Sequence, residues 1–298
     1  MTETTPPTPV DQGDALLIAL SVTGAITLSI LVIALATGLL RWRGVLTGTV
    51  QPVVREAPCR WGLFGVAFGL YVLGNIAAVI VVAWMKGGVD AMQSALAEDP
   101  RILLAMSVGP WLVVIPLTAL AGRFFPFDAW RKLGWRSIGL LHGLVAAPMI
   151  IPVVLFVGVV TQVVRYQIGA SLDESHPLLA GLETDPLLLI AMVLGVGVIV
   201  PFAEEVAFRG LLQSAIGTSL ARVADPMAEA AARWVGIFIT SAIFMVIHPF
   251  FSWPAIFTLS ILLGYAYDRT GSLWTPILVH AAFNLFNLSI AILMLYAS

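Results

Sequence analysis

Residues 186–210 read PLLLIAMVLGVGVIVPFAEEVAFRG, and they join an apolar run to two adjacent carboxylates. The run 186–203 holds no charged side chain and has the length that crosses a bilayer core as a helix, about 20 residues. Glu204, Glu205 and Arg209 follow it directly. Ionisable groups at membrane depth each cost about 3 kcal/mol or more, so they usually face a bundle interior and mark a functional site.

The composition of the whole chain predicts a membrane protein. Of its 298 residues, 59% are hydrophobic and 11% are charged, whereas a soluble domain carries roughly 25% charged residues. The mean hydropathy is +0.98. The net charge of -2 gives no basic field for nucleic acid, so nucleic acid is excluded as a partner. The single cysteine, Cys59, excludes an intrachain disulfide framework and a cysteine-rich zinc site.

Apolar runs along the chain predict an all-α, polytopic membrane bundle of about eight helices. Runs of spanning length are 15–40, 61–85, 102–121, 138–164, 186–203 and 276–295. Two shorter runs, 234–247 and 254–267, flank HPFFSWP, whose two prolines break helices. We interpret them as a short helical hairpin around 234–267 that does not cross the bilayer alone. A turn inside the bilayer needs a cavity that satisfies its backbone groups.

The domain organisation is simple. Residues 1–14 are polar, carry prolines and lack Lys or Arg, which predicts a disordered tail without the basic region of a secretory signal. Residues 15–298 are predicted to form a single transmembrane domain, with the functional core at about 186–295. Residues 211–233 are interpreted as a cytoplasmic-side amphipathic helix with a turn at Asp225-Pro226.

The distribution of basic residues predicts the orientation. Basic residues after the first and third runs are Arg41, Arg43, Arg55, Arg60, Arg123, Arg131, Lys132 and Arg136, and the alternate loops hold Lys86, Arg101 and Arg165. Since Lys and Arg concentrate in cytoplasmic loops, the N-terminus is predicted outside. We expect a multi-pass protein of a bacterial cytoplasmic membrane, with the paired glutamates near the cytoplasmic side.

The EEVAFR motif has two interpretations. Glu205 and Arg209 are i,i+4 on a helix and can pair, while Glu204 points about 100° away and stays free. One carboxylate would then be anchored and the other available for chemistry. The alternative is an interfacial salt bridge at the end of a membrane helix.

Two further motifs place polar side chains on apolar helices. FMVIHP puts Phe244 and His248 on one helical face, and HAAFN puts His280 and Asn284 at i,i+4. Each has a structural alternative, a packed histidine in the first case and an interhelical hydrogen bond in the second. The other two histidines, His142 and His176, are interpreted as structural.

The three motifs together favour hydrolysis. A free carboxylate, two imidazoles and a carboxamide suffice to activate water and to hold an oxyanion, so we predict cleavage of an acyl bond. If the helix at 234–247 crossed the bilayer fully, His248 would lie far from Glu204 and His280. The hydrolytic site therefore predicts a hairpin that turns at mid-depth.

EEVAFR, FMVIH and HAAFN resemble the EExxxR, FxxxH and HxxxN signatures of the CPBP family, the CAAX proteases and bacteriocin-processing enzymes also called the Abi family. The resemblance covers roughly 186–295. It implies an eight-helix intramembrane peptidase with a cytoplasm-facing cavity, similar to the type II CAAX prenyl endopeptidases. The implied partners are membrane lipid and a peptide or lipidated protein, such as a CAAX-type prenylated tail, a leader or a sorting tail.

The resemblance also implies roles for individual residues. Glu204 matches the catalytic glutamate, Glu205 and Arg209 its supporting pair, His248 the residue that holds the water, and His280 with Asn284 the oxyanion side. Glu204, His248 and His280 could instead form a His2Glu zinc set, although no HExxH motif is present. Because asparagine is an uncommon zinc ligand and suits an oxyanion pair, we favour a mechanism without a cofactor, with zinc as the alternative.

A different class of function also fits polar residues on proline-broken membrane helices. A transporter or channel could line its pathway with Glu, His and Asn. The missing inverted repeat and the clustering of polar groups in the second half of the chain argue against it. A catalytically silent scaffold with the same motifs is a further alternative.

Overall fold

The structure is a computed structural model that describes residues 60–124, 130–170, 185–221 and 226–297. These residues form helices and connecting turns, and none of them lies in a strand. The helices are α1 (Arg60–Lys86), α2 (Val89–Glu98), α3 (Pro100–Phe124), α4 (Ile138–Gln167), α5 (the continuous stretch 186–221), α6 (Pro226–Val246), α7 (Trp253–Thr270) and α8 (Trp274–Ala297). The predicted first membrane run, 15–40, and His176 lie outside the described residues.

The helices confirm the prediction of a polytopic, all-α bundle. Within the described ranges, six helices are long and apolar enough to cross a membrane: α1, α3, α4, α5, α7 with the turn before it, and α8. The surface of α1 carries large exposed apolar side chains, among them Leu73, Ile80 and Trp84. Such a surface suits lipid, so the chain is an integral, multi-pass membrane protein. The sequence predicts no helix at Val89–Glu98, where the short helix α2 lies.

The helix that carries the two glutamates is longer than predicted. It consists of α-helical Pro186–Leu194, π-helical Gly195–Ile199, α-helical Val200–Glu205, π-helical Val206–Gln213 and α-helical Ser214–Ala221. The prediction of a membrane run ending at Ala203, followed by a separate amphipathic helix, is therefore wrong. Glu204 and Glu205 lie in the middle of α5, because partners on other helices compensate their charges at that depth. Single π turns inside α-helices occur frequently at functional sites.

The hairpin of α6 and α7 is present but is also longer than predicted. The chain breaks after Val246 at His248-Pro249, makes a short 3-10 turn at Phe250–Ser252 and returns as α7. Together with that turn, α7 is 21 residues long and can cross a membrane, so the expectation that neither arm spans alone is wrong. The turn lies beside the far end of α4, where the Arg165 guanidinium is 5.5 Å from the Phe251 ring. The turn is thus not at mid-depth along α4.

Two sets of contacts define the ends of the bundle. At one end, the Leu273 amide donates to the Gly134 carbonyl at 2.9 Å, which joins the loop before α4 to the loop before α8. Gly134 has φ +89°, and a side chain there would meet the backbone carbonyl of Gly271. At the opposite end, the Arg101 guanidinium binds the Asp185 carboxylate, with Nε 2.8 Å from Oδ2. This contact joins the start of α3 to the start of α5.

Candidate active site

An ion pair between Glu205 and Arg209 lies at the centre of the bundle. Arg209 Nη1 is 3.0 Å from Glu205 Oε1, and both side chains are completely buried. Arg209 also donates through Nη2 to the hydroxyl of Ser260 on α7, at 2.9 Å. A buried pair is tolerated when its charges offset each other. In the described part of the chain, Glu205 Oε2 and Arg209 Nε have no hydrogen-bond partner. The pairing across one helical turn that the sequence predicts is present in the structure.

His280 lies between the two glutamates. Its Nδ1 is 2.8 Å from Glu205 Oε1, and its Nε2 is 3.8 Å from Glu204 Oε2. A carboxylate oxygen accepts, so Nδ1 donates its hydrogen to Glu205 and Nε2 is directed at Glu204. Arg209 offsets the charge of Glu205, and the His280 imidazole offsets that of Glu204 when it is protonated.

Glu204 is the more accessible of the two glutamates. Its side chain is 12% exposed, whereas that of Glu205 is 0% exposed. A carboxylate that activates water must be accessible to that water and lie near the groups that bind the substrate. The Glu204 carboxylate is partly accessible and lies beside the His280 imidazole. Glu204 therefore keeps a small exposed area that Glu205 lacks.

Phe244 on α6 connects His248 to this cluster. Its ring is completely buried and lies 4.6 Å from the His248 ring, 5.9 Å from the His280 ring and 4.7 Å from the Arg209 guanidinium. His248 Nδ1 donates to the Phe244 carbonyl at 2.7 Å, and the Trp253 indole donates to the His248 carbonyl at 2.9 Å. These bonds fix the imidazole at the helix break and leave Nε2 as its free nitrogen.

Asn284 lies one helical turn beyond His280 on α8. Its Nδ2 donates to the carbonyl of Val196 at 3.0 Å. Val196 belongs to the π segment Gly195–Ile199, in which the ordinary α-helical hydrogen bonding is interrupted. The amide therefore ties α8 to this segment of α5. An asparagine nitrogen carries two hydrogens, so this bond leaves one donor.

The predicted zinc ligands do not form a metal site in this arrangement. Within the described ranges, no three His, Cys, Asp or Glu side chains converge in a way that could hold a metal ion. His248 and His280 each donate from Nδ1 to an oxygen, as metal-bound histidines commonly do, and of their two Nε2 atoms that of His280 lies 3.8 Å from Glu204 Oε2. The mechanism proposed below therefore contains no step through a metal.

Two parts of this site were missed by the sequence reasoning. Ser260, which binds Arg209, is completely buried on α7 and could have been noted as a polar residue in an apolar run. The link from Phe244 to Arg209 and His280 carries no sequence signal, because it joins three helices. His142, interpreted as structural, lies near the start of α4 and takes no part in the contacts described above.

Comparison with known families bears on the same segment. Residues 186–286 match the family model described as type II CAAX prenyl endopeptidase Rce1-like. This segment is similar to that family. The resemblance drawn from the three motifs is thus confirmed, and all six predicted site residues fall inside the matched segment.

The Rce1-like segment covers about a third of the chain, from the start of α5 into α8. Searches of curated proteins and of solved structures found no match. Since the matched family is a family of proteases, the coarse prediction of a membrane protease is supported. Substrate and mechanism do not follow from the match.

Proposed function

We propose that the protein is an intramembrane endopeptidase in which Glu204 activates water against a peptide bond of a membrane-associated substrate. The observation that supports this most strongly is the placement of the Glu204 carboxylate 3.8 Å from His280 Nε2. The opposite nitrogen of that imidazole is held by the buried pair of Glu205 and Arg209. A base, an orienting histidine and a fixed countercharge are the components that such a hydrolysis needs.

The proposed steps need only these side chains and water. Glu204 removes a proton from a water molecule that His248 helps to hold, and the water oxygen attacks the carbonyl carbon. The negative charge on the carbonyl oxygen is stabilised by the protonated Nε2 of His280 and by the second N–H of Asn284. Glu204 then returns its proton to the departing amine as the C–N bond breaks. The products are a carboxylic acid and an amine, which at neutral pH become a carboxylate and an ammonium group as the acid gives up its proton.

An apolar groove supports a substrate that carries a lipid. The groove, about 720 Å³ in volume, lies between α3 and α5 and runs from Arg101 and Asp185 to Leu112 and Ile199. Its walls are otherwise almost entirely aliphatic. The Arg101 guanidinium holds the pKa of the Asp185 carboxyl below its usual range, so the polar end stays charged. Ile199 precedes Glu204 by little more than one turn of α5, so an isoprenoid chain in the groove would end near the carboxylate.

The test of this function is the Glu204→Gln variant. Purified protein in lipid vesicles is given a fluorogenic CAAX-type peptide, in which a prenylated cysteine is followed by the residues to be released, and the same peptide without the lipid. Wild type should cleave the prenylated peptide, and Glu204→Gln should not, because an amide keeps the shape but cannot accept the proton. The control is Asp90→Asn, which makes the same chemical change at an exposed position on α2.

Two outcomes would contradict the proposal. Cleavage by Glu204→Gln at the wild-type rate would remove this residue from the mechanism. The second outcome is that wild type cleaves no peptide of the three classes: prenylated tail, leader and sorting tail. That result would favour the transporter or the silent scaffold.

A further inference from the structure

Three aromatic side chains meet at the end of the bundle where the loop before α4 joins the loop before α8. The Trp135 ring stacks on Phe202 of α5, with ring centroids 5.8 Å apart and an interplanar angle of 17°. Trp274, the first residue of α8, lies 5.4 Å from Trp135 and 6.2 Å from Phe202. All three residues are half-buried, so each keeps part of its surface exposed. We call Trp135, Phe202 and Trp274 the aromatic cluster.

Hydrogen bonds to the backbone fix the loop that carries Trp135. The Trp135 indole donates to the carbonyl of Trp130 at 2.9 Å, which sets the orientation of the ring. The hydroxyl of Ser272, two residues before Trp274, donates to the carbonyl of Arg136 at 2.8 Å. Trp135 and Arg136 are therefore held against the start of α8.

The aromatic cluster adjoins the candidate active site through α5 and α8. Phe202 and Glu205 are i,i+3 neighbours on α5, and Trp274 and His280 both lie on α8. Glu205 and His280 bind each other at 2.8 Å. At ~1.5 Å per residue, the six residues from Trp274 to His280 span about 9 Å along α8. The cluster thus lies between the catalytic contact and this end of the bundle.

Arg136 is an exposed cation beside the aromatic cluster. It follows Trp135 directly in the loop, and no carboxylate of the described residues forms an ion pair with it. It also belongs to the basic residues that predict the cytoplasmic side of the membrane. Apolar and aromatic walls with one charged group that fixes orientation are typical of ligand sites. A cation in that place suits an apolar ligand that ends in an anion.

We propose that the aromatic cluster binds the apolar side chains of the residues released beyond the scissile bond, and that Arg136 binds their terminal carboxylate. This inference rests on the proposed function and names the part of the substrate that follows the scissile bond. A CAAX tail ends three residues after its prenylated cysteine. Three extended residues span about 10 Å, which matches the depth of His280 above the start of α8. The planar guanidinium can bind a carboxylate through two parallel hydrogen bonds.

The first experiment changes the arginine and the carboxylate together. The prenylated peptide is supplied with a free C-terminal carboxylate and, separately, with a C-terminal amide. Wild type should cleave the acid with a kcat/KM about tenfold higher than the amide, because the amide loses a charged hydrogen bond. Arg136→Gln should cleave both equally, and Arg136→Lys should keep part of the preference. The control is Lys86→Gln, which removes an exposed cation at the last residue of α1 and should keep the wild-type ratio.

The second experiment tests the aromatic cluster. Two prenylated peptides carry isoleucine or alanine as the middle one of the three released residues. Wild type should favour isoleucine about tenfold or more, since a hydrophobic site discriminates against missing methyl groups. Phe202→Ala should lower this ratio several-fold. Trp234→Ala, which removes a ring stacked on Tyr265 at 5.6 Å outside the cluster, should keep it.

The outcomes separate this inference from the proposed function. Each ratio compares two peptides in one protein sample, so a smaller folded fraction cancels. If wild type cleaves, Glu204→Gln does not, and Arg136→Gln keeps the wild-type ratio of acid to amide, the role of Arg136 is overturned and the function stands. An unchanged ratio of isoleucine to alanine in Phe202→Ala overturns the role of the cluster in the same way. If wild type cleaves no peptide, or Glu204→Gln cleaves at the wild-type rate, the inference and the function are both overturned.

Discussion

Oε1 of Glu205 lies 2.8 Å from Nδ1 of His280, which ties the middle of α5 to α8. The same oxygen is 3.0 Å from Arg209 Nη1, so one carboxylate serves both a cation and an imidazole. The family resemblance implies that Glu205 supports Glu204, and we expect this bond to be the contact through which it does so. By holding the far nitrogen of the imidazole, Glu205 aims Nε2 of His280 at Glu204.

The buried pair predicts a large effect on stability. Glu205→Gln leaves the Arg209 guanidinium without a countercharge at a completely buried position, and Arg209→Ala does the same to the carboxylate. Each should lower the free energy of unfolding by about 3–5 kcal/mol, because removing one partner strands a charge. The measurement is unfolding in mixed detergent micelles, with exposed Asp90→Asn as the control. Wild-type stability in Glu205→Gln would show that the pair does not hold the fold.

The sequence predicts this pair because both members lie on one helix, where the spacing alone decides which side chains meet. The same argument covers the placement of His280 and Asn284 on one face. It does not reach Ser260, since its contact with Arg209 joins residues far apart in the chain. The prediction that the membrane run ends at Ala203 is wrong for a similar reason. Charged residues end an apolar run in the sequence, but in the fold Arg209 on the same helix and His280 on α8 lie against the two glutamates.

The groove between α3 and α5 predicts a selective effect on lipidated substrates. Gly109 lines the groove, and a side chain added there meets no other atom within 4 Å of its Cβ. Gly109→Leu should therefore fill the groove without displacing a neighbour, and leucine also favours a helix more than glycine does. We expect KM for the prenylated peptide to rise about tenfold or more, since each buried CH2 contributes ~0.8 kcal/mol.

The matched control is Gly65→Leu on α1, where an added Cβ also meets no atom within 4 Å and the position does not line the groove. It should leave KM unchanged. An equal loss for the prenylated and the unlipidated peptide in Gly109→Leu would assign the groove to ordinary lipid and not to substrate.

The orientation in the membrane stays a prediction that labelling can test. In a Cys59→Ser background, a cysteine at Gln51 should resist a membrane-impermeant maleimide in intact cells, because the arginines around it favour the cytoplasm. A cysteine at Gln93, exposed on α2, should be labelled under the same conditions. Inside-out vesicles should reverse the pattern. Labelling of Gln51→Cys in intact cells would invert the orientation and leave the chemistry of the site unaffected.

The choice between activated water and a metal rests on His280 and Asn284. In the proposed mechanism both stabilise the oxyanion, so His280→Ala and Asn284→Ala should each lower kcat about 10²- to 10³-fold. Chelator should have no effect on the wild type. In the zinc alternative, His280 is a ligand and Asn284 lies at most in the surrounding shell, so only His280→Ala would lose metal together with activity.

The measurement combines peptide turnover, with and without chelator, and the metal content of purified wild type and both variants. A third variant, Val196→Ala, keeps the backbone carbonyl that Asn284 binds and should retain activity. Stoichiometric zinc in the wild type, lost in His280→Ala and retained in Asn284→Ala, would overturn the water mechanism. If the wild type contains no metal, and His280→Ala and Asn284→Ala lose kcat equally, both side chains are assigned to stabilisation of the oxyanion.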